Sequence, residues 1–262
     1  MPGAAGRMGR AIVRVLAETE GARLAAAVER PGHAALGQDA GVLAGGPAAG
    51  VAIGGSIEDA LAGCDVAIDF TAPAATVENA RRAAERGVAL VIGTTGLSDA
   101  DSRALAAAAE RVAIVRSANF SVGVNVLLGL VEAAARALGD GWDVEIVEAH
   151  HRQKRDAPSG TALQLAEALA GALGRDLARD LRSGRAGDVG PRAPSEIGVL
   201  AVRGGDVVGD HTVHFLGLGE RLELTHRASS RETFARGAVR AAAWVAGRAP
   251  GLYDLRDVLG LR

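Results

Sequence analysis

Short apolar runs that alternate with helical segments constrain the fold of this chain more than any other feature. The apolar runs lie at residues 66–70, 88–92 and 113–115, and segments with helical spacing at 76–86 and 100–110 separate them. Strands that alternate with helices in this way are typical of βαβ units, whose strands lie parallel in one sheet. We therefore expect an α/β fold with ligand-binding loops at the carboxyl ends of the strands.

A glycine-rich turn opens the chain and leads directly into a helical segment. Residues 3–9 have the spacing Gly-x-x-Gly-x-x-Gly, a variant of the turn that holds a dinucleotide pyrophosphate against a helix start. An apolar run at 23–28 follows and ends at Glu29, which can bind the ribose hydroxyls, while Arg30 can meet the 2′-phosphate of NADPH. The pattern predicts a Rossmann-like domain that uses NADH or NADPH. A glycine-rich coil without a ligand is the alternative.

The strand that normally precedes such a turn has almost no residues here, because only Met1 and Pro2 come before the first glycine. That strand is central in the sheet of a dinucleotide-binding domain. Either the start codon is assigned too late, or the fold lacks its innermost strand. We favour a misassigned start, because a true truncation would expose the flanking strands and destabilise the domain.

The second half of the chain is organised around residues 148–161, which read Glu-Ala-His-His-Arg-Gln-Lys-Arg-Asp-Ala-Pro-Ser-Gly-Thr. Among 29 Lys and Arg residues, the single lysine is Lys154. Lysine differs from arginine because it can give up a proton. His150 and His151 precede it, at the end of a run at 143–149 that alternates as a half-buried strand does.

A helix is predicted directly after this stretch, from Gly160 to about Leu173, with Ser159 or Thr161 as its cap. Free N–H groups at a helix start attract anions. A cation, two imidazoles and this helix start together predict a pocket for a carboxylate-bearing substrate that needs proton transfer. The alternatives are a surface lysine and an ordinary helix start.

Strand-like runs dominate the chain after residue 142, at 143–149, 196–203, 207–216 and 220–227. This pattern predicts a second domain of α+β type with a mixed sheet. The last long helical segment, at 234–247, is expected to pack on the first domain.

The predicted domain boundaries follow from this change of pattern. We expect a dinucleotide-binding domain at 1–121 and 231–262, and a substrate-binding and oligomerisation domain at 122–230. Residues 34–52 are predicted as loop, and residues 175–195 as an irregular arm.

Composition disfavours several other classes of protein. The net charge of -2, without a basic block, and 3% aromatic residues disfavour a nucleic-acid partner. One cysteine, Cys64, allows neither a disulfide framework nor a thiol metal site. His211, His214 and His226 lie on predicted strands without the spacing of a metal site, so we expect structural roles and no metal. No uncharged apolar run reaches the roughly 18 residues of a membrane span, so we expect a cytoplasmic protein.

The motif at 148–161 resembles the signature of the 4-hydroxy-tetrahydrodipicolinate reductase (dihydrodipicolinate reductase) family of diaminopimelate and lysine biosynthesis. Similar matches extend over almost the whole chain, at residues 3–9, 29–30, 69–73, 93–96, 118–125, 205–212 and 219–231. The resemblance implies NAD(P)H-dependent reduction of 4-hydroxy-tetrahydrodipicolinate, a small dicarboxylate, with loss of water. It also implies a homotetramer. The absent first strand is the main departure from the family pattern.

The resemblance also implies a role for individual residues. His150 is the implied acid/base, Lys154 the proton donor and His151 a substrate contact, while Gly160 and Thr161 hold a substrate carboxylate. The chemistry of the residues themselves allows either Lys154 or His150 to donate the proton. The implied cofactor-binding residues are Gly3, Ala4, Ala5, Gly6, Arg7, Met8, Glu29, Arg30, Gly93, Thr94, Thr95, Ser117, Ala118, Asn119 and Phe120.

Two rival classes share the first domain with this interpretation. A different two-domain NAD(P)-dependent dehydrogenase would not need the motif at 148–161. A non-catalytic dinucleotide-binding regulator would have no reason to keep Lys154 beside His150 and His151. A chain that truly begins at Met1 would be a third case, a broken enzyme.

Overall fold

The computed structural model describes residues 1–261 and divides into two units. The first unit comprises Met1–Val122 and the chain from Glu232 onward, and the second comprises Gly123–Arg231. Each unit has its own buried apolar core.

The first unit alternates helices and strands, as its sequence predicts. Its elements are α1 (Arg7–Ala17), β1 (Ala27–Val28), α2 (Ala40–Leu43), β2 (Ile53–Gly54), α3 (Ile57–Leu61), β3 (Val66–Asp69), α4 (Pro73–Arg86), β4 (Ala89–Ile92), α5 (Asp99–Ala109) and β5 (Ala113–Arg116).

The second unit follows, and the chain then returns to the first. The elements of the second unit are α6 (Val122–Leu138), β6 (Asp143–His150), α7 (Gly160–Leu173), α8 (Leu177–Asp180), β7 (Leu181–Ser183), β8 (Ile197–Arg203), β9 (Gly209–Leu216) and β10 (Arg221–Ala228). The elements that complete the first unit are α9 (Glu232–Val245), β11 (Gly251–Tyr253) and α10 (Leu255–Leu259).

The main sheet of the first unit is parallel, with strand order β11-β5-β4-β3. All four residues of β4 are buried, so this strand is covered on both faces. Local signals fix the helices between the strands: Pro73 occupies the first turn of α4, Gly87 ends it with φ of 71°, and Ser98 caps α5. The predicted parallel sheet is confirmed.

The start of the chain runs beside β1 without forming a full strand. The Met1 ammonium donates to Ala26 O at 2.8 Å, Val28 N–H donates to Met1 O at 2.9 Å, and Pro2 forms a single parallel bridge with Val28. The expectation of an entirely missing first strand therefore needs correction, since residues 1–4 make part of its contacts. The strand predicted at 23–28 is also shorter than expected.

A cavity of about 530 Å³ lies beside this part of the first unit. Its lining includes Met1, Ala26 and Val66, with Val239 from α9. Burial lowers the pKa of the Met1 amine to about 6. Here the strands of the first unit form two separate sheets: β1 and β2 make a two-stranded sheet apart from the four-stranded one.

Two predictions for irregular segments were wrong, and one further segment had no prediction. The loop predicted at 34–52 contains α2, because Asp39 caps this helix and also accepts hydrogen bonds from the backbone of Ala49, Gly50 and Val51. The arm predicted at 175–195 contains α8 and β7. The final elements β11 and α10 were not predicted.

The second unit is a mixed sheet of five strands in the order β10-β9-β6-β8-β7. The central strand β6 is parallel to β8 and antiparallel to β9. Leu127 and Val131 of α6 and Leu165 and Leu169 of α7 are buried in the same core cluster as Ile146 of β6. The mixed sheet predicted for this part of the chain is confirmed.

The stretch Val122–Gly141 is long and apolar enough to cross a membrane by length and composition. One such helix is weak support for a membrane span, because the core helices of soluble proteins pass the same test. Here the helix carries Glu132 and Arg136, and Val131, next to Glu132, is fully buried in the core of the second unit.

Candidate active site

The glycine turn forms a backbone cradle at the start of α1. Gly3 has φ of +69°, a conformation that favours glycine, and its carbonyl accepts a hydrogen bond from Gly6 N–H at 3.0 Å. Gly6 stands at the N-cap of α1 and gives no side-chain cap. A Cβ atom at Gly9 would lie 2.1 Å from Gly3 O. No side chain caps the N–H groups of the first turn of α1, and such a helix start is suited to binding a phosphate anion.

Glu29 joins the turn from the end of β1. Its Oε1 accepts a hydrogen bond from Ala5 N–H at 2.9 Å, and Arg30 beside it is exposed. The structure therefore brings together the predicted turn and the predicted acidic residue. A carboxylate beside such a turn can accept hydrogen bonds from ribose hydroxyls.

Two further predicted segments lie at the carboxyl ends of neighbouring strands in the first unit. Residues 93–95 follow β4 and residues 117–120 follow β5, and Ser117 N–H donates to Ile92 O at 3.1 Å. A Cβ atom at Gly93 would lie 2.0 Å from the ring of Phe70, whose centroid is 5.5 Å from that of Phe120. This is the sheet edge where open α/β folds bind ligands.

Buried Asp69 organises the turn at residues 71–79 and reaches Thr94 through Thr76, a role that sequence reasoning missed. Its Oδ1 accepts from Thr71 Oγ1 at 2.6 Å, and its Oδ2 accepts from Asn79 Nδ2 at 2.8 Å. Thr76 Oγ1 also reaches Asp69, at 3.2 Å, and lies 2.7 Å from Thr94 Oγ1. A carboxylate at the end of an apolar strand was the available signal, since a buried charge needs partners.

The candidate catalytic residues of the second unit lie where β6 ends. Residues of β6 alternate between buried and half-buried, so Glu148 and His150 share the buried face. His150 Nδ1 is 2.6 Å from Glu148 Oε2, and Ser159 N–H donates to Glu148 Oε1 at 3.0 Å. Arg203 of β8 donates through Nη1 and Nη2 to the two oxygens of Glu148, both at 2.7 Å. Glu148 is therefore the centre of a buried polar network.

Opposing effects set the charges of this network. Burial alone would raise the pKa of Glu148, but hydrogen bonds from Arg203, His150 and Ser159 hold it below its usual range. Burial lowers the pKa of His150 and outweighs the raising effect of Glu148. Burial also lowers the pKa of His211 to about 4. Near neutral pH the network therefore holds a charged carboxylate and guanidinium with neutral imidazoles.

His211 was predicted as a structural residue, and the structure brings it to the same network. Its Nε2 lies 3.1 Å from Ser159 Oγ, and its ring meets that of His150 edge to face at a centroid distance of 5.2 Å. Sequence reasoning missed this position and that of Arg203, because both depend on how distant strands pair.

Lys154 lies in the loop that follows β6. Its side chain is 20% exposed, and Nζ donates to the two oxygens of Asp156 at 3.0 and 2.8 Å. His151 is half-buried, with Nε2 3.3 Å from Arg231 Nη2. The Lys154 ammonium group is therefore partly accessible and is paired with the exposed carboxylate of Asp156.

The start of α7 follows the same loop. Gly160 and Thr161 form its first turn, and Ser159 caps it by accepting from Ala162 N–H at 3.2 Å. The observed bounds of α7 match the predicted helix, and of the two predicted caps Ser159 takes the role. The start of a helix provides N–H donors for a carboxylate, and Lys154 lies on the loop that leads into α7.

Comparisons with known proteins agree over almost the whole chain. The family described as "Dihydrodipicolinate reductase, N-terminus" matches residues 1–120, and "Dihydrodipicolinate reductase, C-terminus" matches residues 123–259. A 4-hydroxy-tetrahydrodipicolinate reductase of Anaeromyxobacter sp. (strain Fw109-5) is 62% identical over 99% of this chain and 96% of the relative. The enzyme of the same name from Thiobacillus denitrificans is 56% identical over 99% of this chain and 97% of the relative.

Solved structures give the same result for the fold. A dipicolinate-bound dihydrodipicolinate reductase from Paenisporosarcina sp. TG-14 is similar with a TM-score of 0.76 and 25% identity, over 97% of this chain and 95% of the other. An amine dehydrogenase from Mycobacterium smegmatis, at 17% identity and a TM-score of 0.58 over 96% of this chain and 93% of the other, shares only the fold. The resemblance found in the sequence is thus confirmed, and the chain belongs to the dihydrodipicolinate reductase family of NAD(P)H-dependent oxidoreductases.

Proposed function

We propose that this chain reduces 4-hydroxy-tetrahydrodipicolinate to tetrahydrodipicolinate with NADH or NADPH, as a step toward diaminopimelate and lysine. One observation carries this proposal. A buried network holds His150 at the end of β6, and the loop that follows carries Lys154 and leads into α7. We assign the cofactor to the first unit and the substrate to the second.

The first unit supplies the groups that bind the cofactor. We assign the pyrophosphate to the turn, which comprises Gly3, Ala4, Ala5, Gly6, Arg7 and Met8. The N–H groups of Ala4, Ala5 and Gly6 donate within the protein, so the donors for the anion come from the uncapped first turn of α1, which Arg7 and Met8 begin. Glu29 accepts from the ribose hydroxyls, and Arg30 can pair with a 2′-phosphate. The strand-end residues Gly93, Thr94, Thr95, Ser117, Ala118, Asn119 and Phe120 line the nicotinamide side. When bound, the cofactor supplies the hydride.

The second unit supplies the substrate contacts and the proton. The substrate is a six-membered ring with two carboxylates, and loss of its 4-hydroxyl as water leaves a conjugated C=C–C=N system. Hydride addition at the ring carbon moves electrons toward nitrogen, and a proton donor must quench the charge. Lys154 is the proposed donor and His150 the proposed acid/base, an effect typically of about 10²–10⁴-fold.

We assign the substrate carboxylates to hydrogen-bond donors at the start of α7 and in the loop before it. Gly160 and Thr161 offer N–H groups at the start of α7, and His151 contributes an imidazole from the loop. Binding the carboxylates orients the ring toward the proton donor, which lowers the entropy cost of the reaction.

Oxidation of NADH and NADPH by the purified protein tests the proposal. The substrate is generated in the cuvette from pyruvate and aspartate semialdehyde by the preceding synthase. We expect absorbance loss that requires the substrate, is abolished in His150→Gln and persists in a control, His33→Gln. Cofactor oxidation that is independent of the substrate contradicts the proposed function, and full activity of His150→Gln contradicts the acid/base role of His150.

We further propose that the protein works in the cytoplasm as a homotetramer. An exposed apolar face supports self-association: Leu200 and Val202 of β8 are 50% and 46% exposed, and they pair in register with half-buried Val147 and Ala149 of β6. Light scattering coupled to gel filtration tests this. We expect four copies, fewer copies for Leu200→Glu, and no change for Leu218→Glu, because Leu218 is fully exposed but lies between strands. A monomeric wild type refutes the tetramer.

A further inference from the structure

We propose that Glu148, held by Arg203, is a positioning residue that keeps a proton on His150 Nδ1 and so leaves Nε2 as the reactive nitrogen. This inference rests on the proposed function, because it takes His150 as the acid/base. It adds the residue pair that decides which nitrogen of that imidazole does the chemistry.

The hydrogen bonds of Glu148 support the assignment of the proton. Each carboxylate oxygen has two partners: Oε1 accepts from Ser159 N–H and Arg203 Nη2, and Oε2 accepts from Arg203 Nη1 and lies 2.6 Å from His150 Nδ1. An ionised carboxylate can only accept hydrogen bonds, so Nδ1 must be the donor. A neutral imidazole with a proton on Nδ1 has its lone pair on Nε2.

Arg203 keeps Glu148 ionised. The guanidinium stays charged and fits the carboxylate with two parallel N–H···O bonds, and Glu148 is fully buried. A buried glutamate facing a histidine alone can share or exchange the proton. With Arg203 in place, Glu148 remains the anion and the imidazole keeps its Nδ1 proton.

Space on the opposite side of the ring is preserved by Gly209 of β9. A Cβ atom at this position would lie 3.0 Å from His150 Nε2 and 3.7 Å from the His211 ring. A side chain at residue 209 would therefore crowd Nε2, whereas Nδ1 is engaged by Glu148.

Four charged or titratable groups affect His150 from different elements. Glu148 is on its own strand, Arg203 on β8, His211 on β9 and Lys154 on the following loop. Glu148 favours the imidazolium, whereas Lys154 and Arg203 disfavour it. A pH profile must therefore be compared between variants that change one of these groups at a time.

The proton position can be measured directly by ¹H–¹⁵N correlation spectra of the histidine side chains, because the two neutral tautomers give different patterns. The wild-type protein is measured above the pKa of His150, and His150→Gln identifies the signal. We expect the Nδ1–H tautomer in the wild type and a mixture or the Nε2–H tautomer in Glu148→Gln. An Nε2–H tautomer in the wild type overturns the proposal without any need for a variant.

Kinetics separates positioning from a merely structural role. We expect Glu148→Gln to lower kcat by roughly 10²-fold, with a smaller change in KM and a displaced pH profile. The matched control is Glu145→Gln, because Glu145 also lies on β6 and binds two arginines, Arg185 and Arg192, on the other face. Arg203→Met removes the hydrogen bonds that keep the pKa of Glu148 low, so we expect this variant also to change the pH profile of kcat.

The outcomes distinguish this inference from the proposed function. Absence of substrate-dependent cofactor oxidation in the wild type contradicts the proposed function, and full activity of His150→Gln contradicts the acid/base role of His150 on which the inference rests. Loss of activity in His150→Gln, together with a normal rate and pH profile in Glu148→Gln, refutes only the positioning role.

Discussion

Replacing Gly9 by alanine tests the proposed dinucleotide turn at its most crowded position. The added Cβ atom would lie 2.1 Å from Gly3 O and 2.8 Å from two backbone atoms of Ala4. Relief requires the Gly3 carbonyl to move, and this weakens its 3.0 Å hydrogen bond from Gly6 N–H.

The expected loss of stability can be worked from these contacts. Overpacking of a tight site costs about 1–3 kcal/mol, and a weakened hydrogen bond about 1 kcal/mol. The higher helix propensity of alanine returns about 1 kcal/mol, because Gly9 lies inside α1. The net destabilisation of roughly 1–3 kcal/mol corresponds to a Tm lower by about 2–12 °C.

Cofactor affinity should fall further than stability alone requires. The turn displaced in Gly9→Ala carries the backbone donors assigned to the pyrophosphate, so we expect the Kd for NADH and NADPH to rise at least about tenfold, or 1.4 kcal/mol. Thermal unfolding by circular dichroism and cofactor fluorescence titration give the two quantities.

The matched control for this experiment is Gly55→Ala in the same unit. The nearest atom to a Cβ at Gly55 is Leu36 Cδ2 at 3.8 Å, an ordinary contact, so we expect little change in Tm or Kd. Wild-type Tm and cofactor affinity in Gly9→Ala would refute the close packing of the turn and its assigned role.

Three further predictions concern single side chains. Lys154→Arg keeps the charge but loses proton transfer, so steady-state kinetics should show kcat lower by about 10²-fold or more; near-normal turnover would mean that Lys154 only binds a carboxylate. Arg30→Leu should raise the KM for NADPH more than that for NADH, and equal effects would remove Arg30 from the 2′-phosphate site. The depressed pKa of His211, about 4, means that its unfolded form takes up a proton first as pH falls. Stability should therefore drop by roughly 3 kcal/mol from pH 7 to pH 4 in urea unfolding, and His211→Gln should remove that part of the pH dependence.

Local patterns predicted the parts of the site whose structure is decided locally. The alternation along β6 places His150 on the buried face, and the bounds of α7 follow from its apolar spacing and its cap Ser159. By contrast, α2 has only four residues, and its cap Asp39 is satisfied by backbone groups ten to twelve positions later. Periodicity within a segment contains no information about such distant partners.

Strand pairing decides the remaining part of the site. Arg203 reaches Glu148 because β8 pairs with β6 in a register that sets His150 opposite Arg203. His211 reaches the same place because β9 pairs with β6 from the other side and sets Glu148 opposite His211. A shift of either register by one residue would turn these side chains to the other face of the sheet. The sequence alone does not state either register.

Arg203 and Lys154 have different roles, and each role suits the chemistry of its own cation. Arg203 holds a fully buried carboxylate with a planar, permanently charged fork, a task that a lysine cannot match because its ammonium is a point charge. Lys154 is partly exposed and pairs with the exposed Asp156, an arrangement in which a flexible ammonium can exchange partners. Exchanging the two residues would therefore damage both functions: arginine at 154 would keep the proton, and lysine at 203 would leave one oxygen of Glu148 without its charged partner.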